Sequence, residues 1–123
     1  MAFLTDRKRA VGRGAARSGT QHHWFMQVSA VGLALVVPAF VYIFGSALGG
    51  THEEVTTVFS QPFAAILTAL VLVGGMAHFR KGAQMMIEDY SRGTTQKALI
   101  IGVILLSYAV VATGLFALAR IAL

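Results

Sequence analysis

A chain of 123 residues that is 56% hydrophobic, with a mean hydropathy of +0.70, is too apolar for a soluble domain and too short for several, so one small membrane domain is expected. It has no cysteine, which excludes a thiolate-held iron–sulfur cluster, a disulfide or a cysteine-based zinc site; any redox centre must rest on histidine or belong to a partner. The formal net charge of +5 does not mark a nucleic-acid surface, because Arg7, Lys8, Arg9, Arg13 and Arg17 gather ahead of the first apolar run with Asp6 alone opposing them.

Residues 1–25 read as a basic arm, interrupted by Gly12, Gly14 and Gly19, with too little hydrophobic periodicity to predict a helix. Its charge sets orientation, with the N-terminus on the cytoplasmic side, and adds contact with anionic phospholipid worth about 1 kcal/mol per basic residue near the surface. Docking against a cytoplasmic partner is the alternative role, and an Arg-rich, acid-poor start is also the composition of an organellar transit peptide. His22 and His23 read as surface groups and Trp24 as an interfacial anchor.

Residues 26–123 hold three predicted transmembrane helices, about 26–48, 62–88 and 97–122, each long enough to cross roughly 30 Å of hydrocarbon. The first is too long for a signal-peptide core, and Pro38 invites a kink in its middle. Residues 49–61 carry Glu53 and Glu54 and no Lys or Arg, so they belong outside the membrane, with His52 solvated; Pro62 suits a first helical turn. Residues 91–96 make a short cytoplasmic turn, and Arg120 reaches the far interface, leaving the C-terminus on the periplasmic side.

The second span is the unusual one. His78 lies in its apolar part, with Gly74 and Gly82 four positions on either side. Asp89, eleven positions later, falls within about 20° of His78 around the helix and roughly 16 Å further along it. Two readings of this stripe stand side by side. In one, the glycines permit close helix approach and His78 bonds a neighbouring carbonyl. In the other, the glycines leave room for a porphyrin and the imidazole ligates its iron.

The run H-F-R-K-G-A-Q-M-M-I-E-D-Y, with its histidine, a glycine four positions on and Asp-Tyr at eleven and twelve, resembles the small hydrophobic membrane anchor of succinate dehydrogenase, respiratory complex II. The arm segment R-G-A-A-R-S-G-T-Q-H-H-W looks like that of alphaproteobacterial members. The resemblance implies an all-α membrane protein whose three transmembrane helices form half of a haem-containing anchor bundle in the bacterial inner membrane. It implies that His78 is one axial ligand of haem b, with the other supplied by a second, cytochrome b-type anchor subunit. Tyr90 and Asp89 would border the ubiquinone site, and Gly74 and Gly82 would pack by the haem; the family pattern fixes no basic residue at Arg80, which either contacts a haem propionate or snorkels to the headgroups. Succinate oxidation itself would belong to the flavoprotein and iron–sulfur subunits, so no residue of this chain is catalytic for it. Two further classes compete: a small proton-relay or transporter subunit, and a purely structural membrane tether.

Overall fold

The computed structural model describes residues 4–12, 14 and 19–123. Arg13 and Arg17 of the basic arm lie outside the described residues. Among the described residues five helices follow in chain order: α1 (Asp6–Val11), α2 (Gly19–Ala47), α3 (His52–Ser60), α4 (Pro62–Tyr90) and α5 (Gly93–Ala122). Among the described residues there is no strand, and α2, α4 and α5 are each long and apolar enough to cross a membrane. At about 1.5 Å per residue their 29, 29 and 30 residues exceed the roughly 30 Å of a hydrocarbon core.

That excess explains where the helices outrun the apolar spans. In α2 the backbone ladder continues through His22, His23 and Trp24 into the interfacial region, since nothing between Gly19 and Met26 breaks it. The helix also runs on through Pro38, whose ring leaves the carbonyl four residues earlier without its usual donor. The arm is less irregular than its composition predicts. Thr5 accepts the Lys8 backbone N–H at 3.3 Å and caps the six-residue α1.

Between the first two spans, the polar connection folds as a helix. Thr51 and Glu54 form a capping box: the Thr51 hydroxyl oxygen accepts from the Glu54 N–H at 3.3 Å, and the Glu54 carboxylate accepts from the Thr51 N–H at 2.7 Å. His52, Glu53, Glu54 and Thr57 are exposed while Val55, Val58 and Phe59 are half-buried, so α3 lies with its apolar side across the ends of the three long helices. Gln61 is both the end of α3 and the N-cap of α4, with Pro62 in the first turn. At the opposite end the reversal into α5 takes only Ser91 and Arg92, both extended, before Gly93 at φ +67°. Gln96 steadies it by donating to the Glu88 carbonyl at 3.4 Å.

Among the described residues α4 touches both α2 and α5, whereas α2 and α5 do not touch each other. The long helices therefore stand in a row with α4 in the middle, and not as a closed bundle. Positions two apart on a helix differ by about 200°, so α4 serves its neighbours from opposite sides. Gly74, His78 and Gly82 face α2; Leu72 and Arg80 face α5. Few side chains are buried: Ala47, Ala64, Ala65, Leu67, Ile87 and Ser107. Large apolar residues such as Leu35, Tyr42, Leu105 and Phe116 stand outward, as lipid or a partner helix requires.

Candidate functional site

The site grows from three contacts that hold α2 against α4 in one antiparallel register. A Cβ built on Gly74 would meet Leu33 Cδ2 at 3.7 Å, and one on Gly82 would meet Met26 Cε at 3.6 Å. Between them, Ser29 Oγ lies 2.8 Å from His78 Nδ1. Residues 26, 29 and 33 form one stripe of α2, and 74, 78 and 82 one stripe of α4. The glycines thus look toward α2, and the close approach they permit brings a hydroxyl to the imidazole.

His78 is half-buried, and among the described residues Nδ1 is its bonded ring nitrogen. Ser29 Oγ also donates to the Phe25 carbonyl at 2.7 Å and lies 3.2 Å from the Met26 carbonyl. Further along the α2–α4 seam, with His78 not in its lining, lies an apolar cavity of about 220 Å³ bounded by Ser29, Gly32, Leu33, Val36, Leu70 and Gly74. Gly32 and Gly74 give its walls flat patches of backbone. Sequence reasoning missed Ser29. A histidine at membrane depth needs a partner, but which hydroxyl meets it depends on how α2 slides along α4, which spacing within one helix does not give.

Arg80 turns to the other side of α4. Its guanidinium carbon lies 5.1 Å from the centroid of the Tyr108 ring on α5, within cation–π range. With Val73, Met76, Ala77, Ser107 and Val111 it lines a separate cavity of about 210 Å³. Arg80 therefore does not share the Ser29–His78 face.

Asp89 and Tyr90 end α4 and are exposed, Tyr90 at 88%. Their neighbour Ile87 is buried and accepts the Ser91 N–H at 2.9 Å, so the helix end beneath them is anchored. His22, read as a surface group, is half-buried instead, and its Nε2 is enclosed without a hydrogen-bond partner among the described residues. It lies beside Gln84, which donates to Glu88 at 2.8 Å. His23 and Trp24 are exposed as expected. Among the described residues no group of three or more His, Cys, Asp or Glu side chains is arranged to hold a metal ion.

Far from this site, the Glu54 carboxyl is held below its ordinary range, first by the Thr51 backbone N–H and then by the Thr51 hydroxyl.

Comparison with known proteins agrees with this architecture. The chain is 46% identical over its full length to the succinate dehydrogenase hydrophobic membrane anchor subunit of Paracoccus denitrificans, covering 95% of that protein. No solved structure gives a significant match. The sequence model for succinate dehydrogenase/fumarate reductase transmembrane subunits matches residues 2–116, nearly the whole of a chain built as three apolar helices in a row, and the chain belongs to that family.

Proposed function

We propose that this chain is the hydrophobic membrane anchor subunit of a succinate:ubiquinone oxidoreductase in the bacterial inner membrane. It tethers the flavoprotein and iron–sulfur subunits, and His78 holds one axial position of a haem b shared with a second, cytochrome-type anchor. The observation that carries this reading is the state of His78: Nδ1 is engaged by Ser29 at 2.8 Å, which anchors the ring on a membrane-spanning helix otherwise apolar at that depth. An imidazole anchored through Nδ1, with no hydrogen bond to Nε2 among the described residues, suits an iron porphyrin at Nε2. The chain offers His78 alone at this depth, so the second ligand falls to the partner anchor. A row of helices with uncovered faces is a fitting half for such a bundle.

When bound, the haem supplies a one-electron redox centre within the membrane. This chain's residues hold the ligand ring and present a polar group for quinone. Gly74, set against Leu33, and Gly82, set against Met26, serve the α2–α4 approach that holds His78, in place of packing directly on the haem. Tyr90 is twelve residues beyond His78, about 18 Å along the helix. Its phenol donates to a quinone carbonyl and stabilises the negative charge that grows there as electrons arrive. Asp89, about 100° away in azimuth, is placed to orient a basic group or to hold a proton. Arg80 is assigned to the Tyr108 ring and the headgroup region in place of a haem propionate. The arm's basic residues keep the N-terminus cytoplasmic and the C-terminus periplasmic.

The test is the purified complex carrying His78→Ala. Its reduced-minus-oxidised spectrum should lose the b-type bands while succinate oxidation with a soluble dye continues. Bands of wild-type intensity in that variant would remove His78 from the haem.

A further inference from the structure

We propose that Ser29 is the positioning residue for His78, fixing the imidazole as its Nδ1–H tautomer so that the Nε2 lone pair is the one presented to a metal. This rests on the reading of His78 as the haem ligand and extends it to a residue on another helix.

The assignment follows from counting protons. Ser29 Oγ is 2.7 Å from the Phe25 carbonyl oxygen and 2.8 Å from His78 Nδ1. A hydroxyl has one proton and two lone pairs, and a carbonyl brings no proton. Two oxygens at 2.7 Å must have a proton between them, so the Ser29 hydroxyl is committed to Phe25. What remains toward His78 is a lone pair, and Nδ1 must carry the hydrogen that meets it. The relay thus runs from His78 Nδ1–H to Ser29 Oγ–H to the Phe25 carbonyl, with each donor used once. The neutral ring then has its lone pair on Nε2, on the side turned from Ser29. Accepting the Nδ1–H also makes Nε2 a stronger electron donor and stops the ring rotating.

The register of the helices makes the bond possible. Gly74 and Gly82 lie one turn either side of His78, and each would place a Cβ in ordinary contact with α2, at 3.7 and 3.6 Å. The helices run close there, and serine is short enough to stay bonded to its own helix while touching the ring.

The experiment compares Ser29→Ala, Ser29→Val and Ser29→Thr with wild type and His78→Ala, all as the assembled, detergent-purified complex. Three quantities are read: haem per complex, haem retention on dilution, and the low-spin ferric EPR g-values, which report imidazole orientation and basicity. Ser29→Ala and Ser29→Val should weaken haem retention by roughly 10- to 100-fold and shift the g-values. Ser29→Thr keeps the hydroxyl in the volume of valine and should restore both, which separates the hydrogen bond from bulk. Co-purification of the partner subunits reads assembly independently of haem. Wild-type g-values and haem retention in Ser29→Ala, while His78→Ala loses haem, would overturn the role of Ser29 and leave the ligand assignment standing. Haem retained in His78→Ala would instead overturn the reading beneath it.

Discussion

Alanine substitution at three glycines should sort them by what their missing side chains make room for. At Gly74 and Gly82 the new methyl would sit 3.7 and 3.6 Å from flexible side-chain ends on α2, an ordinary contact distance. Alanine also restricts the unfolded backbone, so each substitution should leave the anchor unchanged or stabilise it by up to about 1 kcal/mol. At Gly114 the same methyl would lie 2.5 Å from Leu72 Cδ2, with Leu72 Cδ1 at 3.4 Å and Cγ at 3.6 Å. Carbon contacts are comfortable at about 3.5–4.0 Å, so Leu72 must retreat by about 1 Å or leave its rotamer. Because the displaced atom is a leucine side-chain end beside an apolar cavity, the cost falls at the low end of overpacking, about 1–1.5 kcal/mol, slightly more than the gain in helix propensity. The assay is retention of the anchor chain in the detergent-solubilised complex as temperature rises. Gly114→Ala should dissociate earlier than wild type, and adding Leu72→Ala should cancel most of the clash, giving a non-additive double-mutant cycle. Equal stability of Gly114→Ala and Gly82→Ala would refute the argument that α5 meets α4 most tightly at Gly114.

Further outcomes follow from the same geometry. Since the folded pKa of Glu54 is lowered, its contribution to α3 is complete above the unfolded glutamate's pKa and disappears as pH falls through the lowered folded value. Hydrogen exchange of α3, corrected for intrinsic rates, should therefore lose protection on acidification, and Glu54→Gln should flatten that dependence. Thr51→Ala removes the N-cap and should cost α3 about 1 kcal/mol, read by the same exchange measurement at neutral pH. Arg80→Ala and Tyr108→Leu should each loosen α4 from α5 by about 0.5–2 kcal/mol in the thermal assay, with non-additive effects and unchanged haem content. Loss of haem in Arg80→Ala alone would favour a propionate contact instead. Tyr90→Phe should slow quinone reduction more than dye reduction; equal loss in both would place Tyr90 in assembly.

The sequence made much of the fold legible because hydrophobic length and local spacing are properties of a single helix. Three apolar runs announce three spans, and the His78, Gly74 and Gly82 spacing puts those residues on one stripe whatever surrounds them. The α3 helix was legible too, in the Thr51–Glu54 capping box, but a polar segment of nine residues between two spans reads as a loop unless that motif is weighed. Arg80 shows the limit of a single-helix reading. Its spacing from His78 places it on the opposite side of α4, yet only the position of α5 determines that it meets Tyr108.

What the chain determined by itself was the set of faces α4 offers: glycines and an imidazole on one side, Leu72 and Arg80 on the other. Which helix meets each face, and in what register, was decided in three dimensions. Contacts between spans depend on how closely backbones approach and how far each helix slides along its neighbour, and neither quantity is periodic in the sequence. For that reason Ser29, an ordinary hydroxyl in an apolar run, acquires its meaning only when α2 packs against α4 and brings Oγ to 2.8 Å from His78 Nδ1.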